Sequence, residues 1–305
     1  MKFPKTQVLA FVNQKGGCGK TSSTISVGAA FANLGFKTCI VDTDPQCNAT
    51  ETFGVELDQL ANEGKFTLAD VYLTKKPASD VLVDFGDRFG GNLCLIPGNR
   101  GLSSVYARLE SDLQRMIASE EASPLDADDV RSEYRLRLRK SIDSLRNNFD
   151  LVLIDTPPNL DFLMTTALIA ADWFIIPVFP SAYDLNGLST LTRTVEKVRS
   201  RYNPILKLAG VLLGNYDRSA SLDRQIHDLL KKKFGEQLVF KTAIGRSVRH
   251  REATLYHQTI FEHPEGGPQA EQYLELVREM LSRGAKGASV MPLPEEEALG
   301  RVAVG

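Results

Sequence analysis

The sequence predicts an α/β protein with a doubly wound, mostly parallel sheet and helices on both faces. Three observations predict it. Short apolar runs alternate with helix-period segments along nearly the whole chain. The first run, Val8-Leu9-Ala10-Phe11-Val12, leads through a glycine-rich turn into a helical pattern and then a second strand-like run, the order of a right-handed parallel crossover. A later run, Leu151-Val152-Leu153-Ile154, is apolar throughout, as in a strand covered on both faces.

With 305 residues, 43% of them hydrophobic, the chain has ample material for a core. Residues 1–284 read as one domain, and 285–305, rich in Gly, Pro and Glu, as a tail without fixed structure. The net charge of −2 gives no global sign of a nucleic-acid binder, so any such role needs a local patch. The four cysteines form no C-x-x-C pair, which fits free thiols in a reducing cytoplasm. The segment Met1–Lys5 has no apolar stretch, and no run of 18 apolar residues exists, so neither an export signal nor a membrane span is expected.

In chain order, Val8–Asn13 reads as a buried parallel strand and Lys20–Leu34 as a helix closed by Gly35. Small residues such as Gly28 and Ala29 suit that helix to close packing on a sheet. Thr38–Val41 reads as a strand, Thr67–Leu73 as a short helix and Leu93–Ile96 as a strand. Residues 102–147 form a charged, mostly helical stretch interrupted near Ser123-Pro124. Leu151–Ile154 is a strand, followed by a helix at Phe162–Ala171, a strand at Trp173–Val178 and a helix at Leu185–Tyr202. A strand at Leu208–Gly214, a helix at Leu222–Phe234, a short strand at Leu238–Phe240 and a helix at Gln269–Arg283 complete the pattern.

The turn Lys15-Gly16-Gly17-Cys18-Gly19-Lys20-Thr21, with Ser22 after it, has the makings of a phosphate cradle. Glycines let backbone N–H groups converge on an anion, and the following helix start adds unpaired N–H groups and a positive dipole end. Lys20 is placed to reach β- and γ-phosphates, and the Thr21 hydroxyl to ligate Mg²⁺. The first glycine of the ordinary G-x-x-x-x-G-K-[ST] pattern is replaced by Gln14, and a second lysine, Lys15, stands at the front. Cys18 reads as a small apolar filler. Asp155 ends an apolar strand, a position from which a carboxylate holds Mg²⁺ through a water. Asp42 and Asp44 follow a strand expected to neighbour the one entering the loop, and either could orient an attacking water.

These segments together resemble the ParA family of partition ATPases, with its deviant form of the P-loop NTPase motif. Lys15–Thr21 is similar to the deviant Walker A, and Asp42-Thr43-Asp44-Pro45-Gln46-Cys47-Asn48-Ala49-Thr50 to switch I. Leu151–Pro158 is similar to Walker B, and Gly210–Leu213 with Tyr216-Asp217-Arg218, and Arg246–Arg249 with Glu252-Ala253, to later family blocks. The resemblance spans roughly Val8–Arg283. It implies ATP and Mg²⁺ as cofactors and weak ATP hydrolysis. Lys15 would reach the partner's nucleotide in an ATP-sandwich homodimer, Asp44 would position the water, and Asp42 and Asp155 would organise Mg²⁺. It also implies non-specific binding of double-stranded DNA by the dimer, association with the nucleoid and stimulation by a ParB-like partner.

Residues 218–251 hold nine Lys or Arg against three acids, a local balance of +6 in an acidic protein. Phosphate contacts from such a stretch give sequence-independent, salt-sensitive binding. Arg218, Arg246 and Arg249 fall where the family binds DNA; Lys231 and Lys232 are further candidates. Asn215 is a candidate for reading adenine. Gly245 and Ser247 stand where the family commonly has proline and asparagine, and Cys47 replaces the usual switch I glycine. The rival readings are a MinD-like membrane ATPase, which needs a basic amphipathic C-terminal helix that this proline-containing tail does not spell, and a nucleotide-gated scaffold with negligible hydrolysis. An iron–sulphur carrier needs paired cysteine ligands, and none of the cysteines is convincingly placed.

Overall fold

Strand β1 (Gln7–Phe11) runs parallel to strand β5 (Leu151–Asp155) on one side and to β6 (Trp173–Val178) on the other. The computed structural model describes residues 5–121, 123–180 and 182–285. The expected tail at 285–305 lies, but for Ala285, outside the described residues. Strands β2 (Thr38–Asp42), β3 (Val83–Asp84), β4 (Leu93–Ile96) and β7 (Lys207–Leu213) complete a seven-stranded sheet of order β3-β4-β2-β5-β1-β6-β7. All pairs are parallel except β3–β4.

The helices are α1 (Lys20–Asn33), α2 (Asn48–Thr52), α3 (Leu57–Asn62), α4 (Leu68–Thr74), α5 (Val105–Ala118), α6 (Ala127–Ile142), α7 (Phe162–Ala170), α8 (Ala182–Arg201), α9 (Ser221–Phe234), α10 (Arg249–Leu255) and α11 (Gly267–Ala285). They cover both sheet faces, and strand side chains alternate between the two cores. Val8, Ala10, Val41, Val152 and Ile154 pack with Leu109, Leu138, Leu168 and Val195 of α5–α8. Leu9, Phe11, Ile40 and Leu153 pack with Ile25 and Val27 of α1 and with Leu276 and Val277 of α11. The small face of α1 sits tight on the sheet: a Cβ at Gly28 would lie 2.7 Å from Ile40 Cδ1. Helix α4 begins one residue later than expected because Thr67 caps it. Asp70 Oδ2 accepts from the Thr67 N–H (2.9 Å) and from its hydroxyl (3.2 Å), and the cap carries both halves of a capping box.

Two expectations need correction. β2 does not neighbour β1, because β5 lies between them and pairs with both. The crossover through α1 therefore skips one position, and the fully apolar β5 fills it, buried at all five residues. Leu238–Phe240 is not a strand of the sheet. Val239 makes an isolated bridge to Val211, with Val211 N donating to Leu238 O (2.7 Å) and Phe240 N to Val211 O (3.0 Å). Phe240 passes over Gly210, where a Cβ would lie 2.6 Å from its ring, and the chain then turns away.

Arg88 ties α2 to the segment after α10. It grips Glu262 with Nε (2.9 Å) and Nη2 (3.0 Å), and donates to Phe53 O (3.2 Å) and His257 O (3.0 Å). His257 Nδ1 lies 2.7 Å from Glu51 O, adding to the same junction. Arg88→Ala is expected to lower stability by about 2–3 kcal/mol, since it removes a forked ion pair and strands two carbonyls. Arg88→Lys should restore little of that, lacking the planar fork. Urea denaturation measures both.

Candidate nucleotide site

The carboxyl ends of β1, β5 and β2 bring three acids together under the glycine loop. Phe11 and Asp42 are each in register with Asp155. Hydroxyls pin these strand ends: Thr156 Oγ1 donates to Phe11 O (2.6 Å), and Thr43 Oγ1 to Asp155 O (2.5 Å). Asp42 and Asp155 are fully buried, and Asp44 is 6% exposed. Burial and the neighbouring carboxylates push Asp155 up to about 8. Burial, offset in part by hydrogen bonds from Thr50, pushes Asp42 up to about 6.

The three acids differ in their partners. Asp42 is spent on the chain: Oδ2 accepts from Thr50 N (2.9 Å) and Thr50 Oγ1 (2.7 Å), and Oδ1 from Asp44 N (3.1 Å). It thereby caps α2 from a distance, where Cys47 at the helix start provides no side-chain cap and sits at φ 58°. Asp44 Oδ1 accepts from Gln46 N (2.9 Å). Asp155 accepts from the Thr21 hydroxyl and, at 3.4 Å on Oδ1, from Thr24 Oγ1, while its buried Oδ2 has no partner.

The loop itself closes on Lys20. Asn13 donates to Pro177 O (2.7 Å) and accepts from Lys15 N (3.0 Å), which sets the loop's entry. Lys20 Nζ donates to Lys15 O (3.0 Å), and Cys18 Sγ, buried as expected of a filler, lies 3.2 Å from the same carbonyl. Gly19 has φ 87°, a left-handed conformation that only glycine adopts without strain. Lys15, Gly16 and Gly17 are exposed. A Thr hydroxyl beside an unpartnered buried carboxylate oxygen suits Mg²⁺, which keeps waters and substrate oxygens rather than a full protein cage.

A cleft of about 1020 Å³ runs from the loop past Asp44, Asn215 and Gly245 to α10 and α11. Asn215, the residue expected to read adenine, has φ 52° and lines this cleft. Sequence reasoning missed Phe179, whose ring would lie 2.9 Å from a Cβ at Gly19 and 2.8 Å from one at Gly214. It also missed Gln272, which accepts from Gly245 N (2.8 Å), and Tyr273, whose hydroxyl is 3.4 Å from Ser23 Oγ. Gly214 and Gly245, which both line the cleft, were the available signal for a close approach to this wall.

None of the DNA candidates is among the residues that line the cleft. Arg218 and Lys232 are exposed, and Lys231 is half-buried with Glu236 at 4.0 Å. Arg246 lies 3.7 Å from the buried Asp223. Arg249 is held by Glu252 (2.6 Å) and by Glu265. Among the described residues no helix is long and apolar enough to cross a membrane.

Residues 6–208 match the family model described as an AAA domain. The chain is 34% identical over 279 residues to the chromosome partitioning protein ParA of Caulobacter vibrioides, covering 91% of this chain and 94% of that one. It is 33% identical over 285 residues to the sporulation initiation inhibitor protein Soj of Bacillus subtilis, covering 91% and 99%. The structure of cobyrinic acid a,c-diamide synthase from Mycobacterium smegmatis with bound ADP and magnesium superposes with a TM-score of 0.71 at 28% identity, covering 95% of this chain and 99% of that one. On these matches and on the geometry of its glycine loop, the chain belongs to the ParA family of ATPases.

Proposed function

We propose that this protein is a partition ATPase whose ATP-bound homodimer holds DNA non-specifically and whose hydrolysis, stimulated by a ParB-like partner, releases it. The observation that carries the reading is the convergence of three buried carboxylates beneath a two-lysine glycine loop. The ADP and magnesium bound by the M. smegmatis neighbour support nucleotide as the ligand.

In this reading the N–H groups of Gly16–Ser22 cradle the phosphates and Lys20 reaches the β- and γ-oxygens. Thr21 and Asp155 would hold Mg²⁺, which would offset the charge that develops on the phosphates. Asp42 organises switch I by capping α2, and Asp44 orients the attacking water. Lys15, exposed at the loop's front, supplies a cation across the dimer to the partner's nucleotide. Arg218, Arg246 and Arg249, with Lys231 and Lys232, contact DNA phosphates.

A gel shift on random duplex DNA with ATP, ADP or no nucleotide tests this. Binding restricted to ATP is expected; binding that ignores nucleotide, or none with ATP, sinks the reading. Arg249→Ala is expected to weaken DNA binding about tenfold and to lower its salt slope by about one, with basal hydrolysis unchanged. The carboxylates it leaves, Glu252 and Glu265, are solvent-accessible, so the fold should tolerate the change.

A further inference from the structure

The basic stretch 218–251 does not act as one surface. Arg246 and Arg249 are paired with carboxylates that do not line the cleft, whereas Arg251 lines it. Arg251 and Thr254, three residues apart on α10, share a face of the helix, and both line the cleft together with the adjacent His250. It is exposed and makes no side-chain hydrogen bond or ion pair among the described residues.

The cleft is short of positive charge. Asp44 lines it and Asp42 and Asp155 lie beneath, yet among its lining residues the only cations are Lys20 and Arg251. His250 is no substitute: burial pushes its imidazole down to about 4, and its Nε2 has no partner. A polyphosphate entering beside three acids needs compensation, and a guanidinium is suited to phosphate oxygens.

We propose that Arg251 is a nucleotide ligand of this chain, binding the polyphosphate across the cleft from the glycine loop, rather than a member of the DNA-binding patch. The proposal rests on the nucleotide-site reading above. It gives α10 two roles by face, with Arg249 turned to DNA and Arg251 to nucleotide.

The test is a titration of wild type, Arg251→Ala and Arg251→Lys with fluorescent ATP and AMP analogues in the presence of Mg²⁺. DNA affinity is measured in parallel at saturating ATP. Arg251→Ala is expected to weaken ATP about tenfold and AMP less than about twofold, with Arg251→Lys in between and DNA affinity unchanged. Unchanged ATP affinity overturns the proposal, as does equal weakening of ATP and AMP. A fall in DNA affinity with ATP affinity intact returns Arg251 to the basic patch and likewise overturns it. A wild-type protein that binds no ATP at all refutes the nucleotide-site reading instead. Because Arg251 is exposed, both variants should melt with the wild type, which a thermal scan verifies.

Discussion

Asp44→Ala is expected to cut ATP turnover by about 10²–10⁴-fold while leaving ATP-dependent dimerisation intact. The structure separates this acid from its neighbours by what each already holds. Asp42 accepts three hydrogen bonds from Asp44 N and Thr50, so its loss should collapse switch I and disturb binding as well as chemistry. Asp155 lies beneath Thr21 and belongs with the metal. Asp44 lines the cleft, and its Oδ1 accepts from Gln46 N two residues away. A carboxylate so placed can orient a water without carrying the fold. Phosphate release and size-exclusion chromatography with ATP distinguish the two effects. Unchanged turnover would show that another group orients the water, and loss of the dimer would show that Asp44 is part of the interface.

The phosphate loop was legible in the sequence because its physics is local. Glycine at a left-handed φ, a lysine and a hydroxyl at a helix start, and an apolar strand before them all lie within fifteen residues. Asp42 and Asp155 were legible because each ends an apolar run, and Asp44 because it stands two residues beyond one. The strand order was not, since nothing in Thr38–Asp42 says that a strand more than one hundred residues later will come between it and β1. Helix α2 was invisible for a related reason: its cap, Asp42, comes from another element, while the residue at its start is an αL cysteine that no capping rule would choose. Helix α10 escaped because it buries only Ala253. Its His250, Arg251 and Thr254 face a cleft, so the apolar periodicity that reveals amphipathic helices is missing. In the sequence Arg251 reads as part of one basic stretch with Arg249, whereas in the fold Arg251 lines the cleft and Arg249 does not.

Asp155→Asn is expected to stabilise the nucleotide-free, metal-free protein by on the order of 1–3 kcal/mol while abolishing Mg²⁺-dependent ATP binding. In wild type this carboxyl is fully buried beside two other acids, and Oδ2 has no partner. The sign of its pH dependence follows from where its proton binds. The unfolded chain releases it near the ordinary aspartate value, about 3.9, whereas the folded chain holds it up to about 8. Between those values the folded state binds more protons, so stability falls as pH rises. Asp42 contributes in the same direction, but only up to about 6. Of these two acids only Asp155 carries the decline between pH 6 and 8, so Asp155→Asn should flatten that part and reduce the decline below 6 to the share of Asp42. Melts across that range, in chelator, measure both. Adding Mg²⁺ and ATP should then reverse the ranking, because ligand stabilises only the form that binds it. A variant less stable than wild type without ligand at pH 8 would mean that the buried charge is neutralised by the protein itself and does not await a cation.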